Sequence, residues 1–123
     1  MTRIIICDDD VQVCRFLQLA LRSHQYEVES VYTAERCLAA CTQARPHLLV
    51  TDLTLPDMDG GELIRRLRDA HPKLPILAIS GASDDVLQSA WQNGADWVMR
   101  KPIVPVILLE TAAYLIGGHV PQA

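Results

Sequence analysis

Acidic residues stand at the ends of two apolar runs in this sequence. Asp8, Asp9 and Asp10 follow R-I-I-I-C, and Asp52 closes H-L-L-V-T-D. Carboxylates that lie together raise one another's pKa unless a cation neutralises them, and Mg²⁺ prefers oxygen ligands of this kind. We therefore predict a Mg²⁺ site held by Asp8, Asp9 and Asp52. Capping of a following helix explains one of the first three aspartates, but it explains poorly why Asp52 ends a second run.

Lys101 and Ser80 place two further groups at the ends of apolar runs. Lys101 precedes Pro102, whose ring restricts the lysine backbone and fixes where the ammonium leaves the last strand. Ser80 precedes Gly81 and can donate a hydroxyl hydrogen bond, although a serine before a glycine is also common in plain turns. A nucleophilic carboxylate, a divalent metal, a cation and a hydroxyl donor together stabilise a transferring phosphoryl group. These residues predict phosphoryl transfer to Asp52.

Strand-length apolar runs alternate five times with segments of helical period, which predicts the elements that must position these groups. We expect an α/β fold with a doubly wound, five-stranded parallel sheet and helices on both faces. Ligands bind beyond the carboxyl ends of the strands in such sheets. The expected strands are Arg3–Cys7, Glu27–Tyr32, His47–Asp52, Pro75–Ser80 and Asp96–Met99. The expected helices are Val11–Arg22, one from Thr33 to about Ala44, Gly61–Ala70, Asp84–Asn93 and a terminal helix.

The composition is that of one globular domain. Of 123 residues, 50% are hydrophobic and 21% are charged, so the chain can bury a core but is too short for two ordinary domains. A net charge of -4 argues against direct nucleic-acid binding, and we interpret Arg65, Arg66 and Arg68 as a solvated helix face. No stretch approaches the roughly 20 apolar residues of a membrane span, so we expect a cytoplasmic protein without membrane contact.

Two further features bear on redox state and partners. Cys7, Cys14, Cys37 and Cys41 form no paired framework, which predicts buried, reduced thiols and no metal pair. The last helix is apolar nearly all round, with V-I-L-L followed by A-A-Y-L-I. Either most of these residues are core, or the helix has a second apolar face for a homodimer or another partner.

The segments I-I-I-C-D-D-D, L-L-V-T-D-L-T-L-P-D-M-D-G, I-L-A-I-S-G-A, N-G-A-D and R-K-P occur in an order and at separations that resemble the receiver domains of bacterial response regulators. The resemblance covers essentially the whole chain. It implies a flavodoxin-like sheet of strand order 2-1-3-4-5, and a single receiver domain over residues 1–123, with its core at about 2–118 and a short C-terminal tail.

The resemblance also implies a role for each candidate residue. Asp52 becomes the phosphoacceptor, Asp8 and Asp9 become Mg²⁺ ligands with the backbone carbonyl of Thr54, and Ser80 and Lys101 contact the phosphoryl group. The donor would be a histidine kinase or histidine phosphotransfer protein, and the target a downstream protein or a fused output domain. Such a domain is not an enzyme, because it catalyses only its own phosphorylation and dephosphorylation.

The region expected to respond to phosphorylation, which we call the switch region, departs from the family pattern. Val98 stands where family members usually carry tyrosine or phenylalanine, and Trp97 precedes it. Because neighbouring strand residues face opposite sides of a sheet, Trp97 should not substitute for the missing ring. Gly81 and Ala82 complete the region, and the small Ala82 leaves room for water, which favours a short-lived phosphoform.

Three other functions remain open from the sequence. A receiver-like binding module that acts without phosphorylation is compatible with Val98. A small Mg²⁺ phosphatase resembling the haloacid-dehalogenase class would need an aspartate two residues after Asp52, where Thr54 stands. A flavin- or dinucleotide-binding module would need a glycine-rich turn after the first strand, where three aspartates stand instead.

Overall fold

Five strands alternate with five helices in the computed structural model, which describes residues 1–117. The predicted C-terminal tail therefore lies outside the described residues. Each predicted bound differs from the observed one by at most one residue. The strands are β1 (Arg3–Cys7), β2 (Glu27–Val31), β3 (Leu48–Asp52), β4 (Ile76–Ser80) and β5 (Trp97–Arg100). The helices are α1 (Val11–Arg22), α2 (Ala34–Gln43), α3 (Gly60–Ala70), α4 (Asp84–Asn93) and α5 (Pro105–Ile116).

The strands form one parallel sheet in the order β2-β1-β3-β4-β5, as predicted. Strand β3, which ends in Asp52, lies at its centre, between β1 and β4. Because all strands run in the same direction, their carboxyl ends share one edge. The candidate site residues lie at this edge.

A separate hydrophobic core covers each face of the sheet. Alternate residues of β1 belong to opposite cores. Ile4 and Ile6 pack towards α1 and α5, whereas Ile5 and Cys7 pack towards α2, α3 and α4. All five residues of β3 are buried, because this strand is covered on both faces. The strand that carries Asp52 to the site edge is thus buried along its whole length.

Side-chain caps fix where the first two helices begin. The Asp10 carboxylate accepts hydrogen bonds from the amides of Gln12 and Val13, and the Thr33 hydroxyl accepts one from Arg36. Both caps satisfy amides that have no partner within the helix. Asp10 is therefore the N-cap of α1, and Thr33 is the N-cap of α2.

The interpretation of the three arginines as one solvated face is wrong for Arg68. Arg65 and Arg66 are exposed, but Arg68 is only partly so. Its guanidinium donates at 2.7–3.1 Å to three carbonyl oxygens and to the Asp96 carboxylate. The carbonyls belong to Pro72, Leu74 and Gly94. Arg68 therefore joins α3 to the loops before β4 and β5.

The four cysteines are free and buried, which confirms the prediction of reduced core thiols. Among the described residues, no helix is both long and apolar enough to cross a membrane.

Helix α5 has both kinds of surface that its sequence suggested. Leu108, Ala112 and Leu115 are buried in the core, whereas Val106 and Ile107 are half exposed. Helix α5 thus combines a core face with an exposed apolar face.

Candidate functional site

The predicted acidic residues converge at the carboxyl edge of the sheet. Carboxylate oxygens of Asp8, Asp9 and Asp52 lie within 4.8 Å of one another. Asp8 is fully buried and Asp52 is 5% exposed, whereas Asp9 is open to solvent. A cluster of three carboxylates with one open side is a donor set that fits a hard divalent cation.

Most of the buried polar side chains of the described chain belong to this site. The buried polar or charged residues are Asp8, Thr51, Asp52 and Ser80. Burying a charged carboxylate is unfavourable unless a partner compensates it. The two neighbouring buried carboxylates, Asp8 and Asp52, do not stabilise the fold. They therefore indicate a functional site.

Lys101 supplies the positive charge of the site. Its Nζ donates to Asp8 at 2.9 Å and to Asp52 at 3.2 Å. Burial alone would lower the pKa of Lys101, but the hydrogen bond to Asp8 and the charges of both carboxylates outweigh it and raise the pKa. The ammonium is therefore held charged between the two acids. The Lys101–Pro102 peptide bond that follows is cis.

The Asp52 carboxylate is oriented by its own chain as well as by Lys101. Its Oδ1 accepts a hydrogen bond from the Leu53 amide at 2.8 Å and a longer one from Thr54 at 3.4 Å, while Oδ2 faces Lys101. Burial and the neighbouring charge of Asp8 raise the pKa of Asp52 despite the opposing effect of Lys101. The Asp52 carboxylate is therefore fixed in direction, and in its ionised form it is suited to nucleophilic attack.

Ser80 is fully buried, one residue beyond the partner of Asp52 in the sheet register. Its Oγ accepts a hydrogen bond from the Ala82 amide at 2.9 Å, and its carbonyl accepts one from the Lys101 amide at 2.8 Å. The ends of β4 and β5 are thus joined directly beside the site. The Ser80 hydroxyl hydrogen is still available for a further acceptor.

Val98 and Trp97 of the switch region face opposite sides of the sheet, as predicted. Val98 packs against the core beneath α2, α3 and α4, whereas Trp97 packs on the other face. The Trp97 ring also meets Trp91 of α4 edge to face, with ring centroids 5.3 Å apart. Gly81 is exposed and Ala82 is partly buried in the loop that follows Ser80.

Sequence reasoning missed two residues that hold the loops around the site. Asp57, in the loop after Asp52, accepts hydrogen bonds from the amides of Ala34 and Glu35 at the start of α2. These amides lower the pKa of Asp57. Arg100 donates to the carbonyl oxygen of Ala82 and to Asp84. Residue type alone gives no sign of either contact, because the partners lie on separate elements.

A surface cavity of about 570 Å³ opens beside Lys101. Val13, Phe16 and Leu17 of α1 line one side, and Pro102 and Ile103 line the other. Phe16 is 44% exposed. The approach to the acidic cluster is therefore flanked by an apolar surface.

Comparison with known proteins gives one consistent result. Residues 4–113 match the family described as the response regulator receiver domain. The KDP operon transcriptional regulatory protein KdpE of Escherichia coli K12 is 38% identical over 104 residues, which are 83% of this chain and 45% of that protein. The transcriptional regulatory protein TrcR of Mycobacterium tuberculosis is 31% identical over 102 residues, 81% of this chain and 39% of its own length.

A solved structure with a similar fold has nearly the same length as this chain. The response regulator receiver domain protein (CheY-like) from Methanospirillum hungatei JF-1 is 31% identical and has a TM-score of 0.91, with 96% of this chain and 95% of that chain covered. By contrast, the chain spans less than half the length of the curated relatives KdpE and TrcR.

Proposed function

Because this chain belongs to the response regulator receiver domain family, we propose that it accepts a phosphoryl group on Asp52 in a Mg²⁺-dependent reaction. One observation carries the proposal: the nearly buried Asp52 carboxylate lies within 4.8 Å of two other carboxylates and 3.2 Å from a lysine ammonium. The buried carboxylates of this site destabilise the folded state. The arrangement of its negative and positive groups matches the charge distribution of phosphoryl transfer.

In the proposed step, an Asp52 oxygen forms a bond to phosphorus while the phosphorus–nitrogen bond of a donor phosphohistidine breaks. The electron pair of that bond leaves with the imidazole, which takes up a proton. Lys101 faces Asp52 Oδ2 and compensates negative charge on the phosphoryl oxygens. Ser80 donates its hydroxyl hydrogen bond to one of these oxygens.

Mg²⁺ would be held by Asp8, Asp9 and Asp52, with the backbone carbonyl of Thr54 as a further ligand. When bound, the ion neutralises the carboxylates and the transferring phosphoryl group. The convergence of the three carboxylates supports this assignment. Mg²⁺ binding should also offset the raised pKa of Asp52, because a nearby cation favours the charged carboxylate.

The phosphodonor would be a histidine kinase or histidine phosphotransfer protein, docking over the apolar cavity between α1 and the loop after β5. The target would be a downstream protein or an output domain fused to the chain. The chain would transfer no phosphoryl group to any other substrate and would therefore not be an enzyme in the usual sense. The four free thiols support a reducing, cytoplasmic location.

The decisive experiment is intact-protein mass spectrometry after incubation with acetyl phosphate and Mg²⁺, which requires no partner protein. We expect one phosphoryl adduct, lost with EDTA and absent from Asp52→Ala. Asp69→Asn serves as a matched control, because it removes an exposed carboxylate near the C-terminal end of α3, at the edge of the sheet opposite to the site. A folded wild-type protein that binds Mg²⁺ but gains no adduct would instead support a binding module that acts without phosphorylation.

A further inference from the structure

We propose that Arg100 is a positioning residue through which the phosphorylation state of Asp52 changes the position of helix α4. The inference rests on the proposed phosphorylation of Asp52. It concerns the loop of residues 81–83 between β4 and α4, which we call the β4–α4 loop. Arg100 contacts both this loop and the first residue of α4.

The guanidinium of Arg100 bridges the loop and the helix. Nη1 donates to the Ala82 carbonyl oxygen at 3.0 Å, and Nη2 donates to the Asp84 carboxylate. The planar guanidinium can form both bonds only while loop and helix keep their present separation. The two Arg100 contacts therefore depend on the distance between the β4–α4 loop and α4.

Ser80 holds the same peptide segment from the other side. The Ala82 amide donates to Ser80 Oγ at 2.9 Å, so the two ends of residue 82 are bound by Ser80 and by Arg100. When Ser80 turns to donate to a phosphoryl oxygen, Ala82 can keep its bond to Oγ only by moving with it. That movement displaces the carbonyl oxygen that Arg100 binds.

The backbone connects Arg100 to the site as well. Arg100 pairs with Ser80 in the sheet register, and the next residue, Lys101, donates to Asp52. Arg100, the last residue of β5, contacts the start of α4, and Lys101, the next residue, contacts Asp52. One peptide bond therefore joins the residue that binds Asp52 to the residue that binds α4.

Arg100 also contacts the first turn of α4. Ser83 occupies the N-cap position but makes no side-chain capping bond, whereas Asp84 in the first turn is bound by Arg100. Val98, two residues before Arg100 on the same face of β5, offers no polar atom for such a bond. The Arg100–Asp84 pair is exposed, with 51% and 89% of the side chains accessible. Exposed pairs are weak, so this contact can be broken or reformed by a modest change at the site.

The chain carries its own probe of α4 movement. Trp91 of α4 meets Trp97 of β5 edge to face, and these are the two tryptophans of the sequence. Each gives one indole N–H signal in a ¹H–¹⁵N spectrum. A shift of α4 along β5 changes the ring current that each indole experiences.

The test records indole shifts and phosphoryl occupancy on the same samples, before and after acetyl phosphate and Mg²⁺. In wild type we expect both indole signals to move in proportion to occupancy. In Arg100→Ala we expect phosphorylation of Asp52 with the indole displacement reduced about fivefold. Arg100→Lys, which keeps the charge but not the two-bond geometry, should fall between them.

Arg66→Ala is the matched control, because Arg66 is also an exposed arginine in an ion pair, but with Glu62 on α3. It should respond as wild type does. An undiminished indole displacement in phosphorylated Arg100→Ala overturns the proposal, and so does a phosphorylated wild type whose indoles do not move. Absence of the adduct in wild type overturns the proposed function itself. Arg100→Gln replaces Arg100→Ala if circular dichroism shows that the alanine variant is unfolded.

Discussion

Replacement of Gly60 by alanine tests how the loop after Asp52 is held. Gly60 begins α3 and packs against the backbone of Leu53, the residue after Asp52. A Cβ at position 60 would lie 2.5 Å from both the Cα and the carbonyl oxygen of Leu53. Both are backbone atoms, so no side-chain rotation can relieve the contact.

The magnitude follows from three effects. Overpacking against rigid atoms costs about 3 kcal/mol, at the upper end of the usual range. Loss of the bond from the Gly60 amide to the Leu53 carbonyl, 3.2 Å long, costs about 1 kcal/mol more. Alanine regains about 1 kcal/mol through its higher helix propensity. We therefore expect Gly60→Ala to lower the free energy of unfolding by about 3 kcal/mol and the melting temperature by roughly 10 °C.

Urea denaturation of Gly60→Ala beside Gly81→Ala measures this effect. A Cβ at Gly81 would meet only Lys101 Cβ at 3.9 Å, which is ordinary contact, so that variant should unfold within about 0.5 kcal/mol of wild type. Displacement of Leu53 should also slow phosphorylation, because the Leu53 amide orients Asp52 Oδ1. Equal urea midpoints for Gly60→Ala and wild type would refute the reasoning.

Four other changes have defined outcomes. Arg68→Met should destabilise the fold by about 2–4 kcal/mol in urea denaturation, because three carbonyl oxygens lose a charged donor. Asp57→Ala should lower the thermal midpoint at pH 7, and the difference should vanish as the pH falls through the lowered pKa of Asp57, where the wild-type carboxylate also loses its charge. Asp52→Asn should raise the thermal midpoint at pH 7 in EDTA. The raised pKa of Asp52 makes its ionised form unfavourable in the folded state, so the gain should disappear at acid pH, below both the folded and the unfolded pKa. The half-exposed apolar face of α5 should cause concentration-dependent self-association, which Ile107→Glu abolishes in sedimentation velocity.

The sheet and the central site residues could be predicted because both depend on local signals. β-branched runs, helix caps and strand-ending acids are local patterns, and a parallel sheet brings all strand ends to one edge. Asp8, Asp52 and Lys101 could therefore be placed together although they are separated by 44 to 93 residues.

The loop contacts could not be predicted, because they depend on where two elements pack. Asp57 binds amides 22 and 23 residues earlier in the chain, and Arg100 binds a carbonyl 18 residues earlier. Arg68 lies one helical turn after the exposed Arg65. Only the position of the loop before β5 distinguishes the environments of the two arginines. Exposure of arginine is a good prior, and tertiary hydrogen bonds override it.

The central position of β3 has a consequence for hydrogen exchange. Amide protons of a strand buried on both faces exchange only when the whole domain unfolds. The first amides of α4, which no Ser83 side chain caps, should instead exchange through small local openings. Asp52 is thus attached to a strand that we expect to exchange slowly, while the start of the adjacent helix should exchange faster. The phosphoryl group would be added at the end of the buried strand β3. The structural response would occur at the start of α4, where local opening is expected to be frequent.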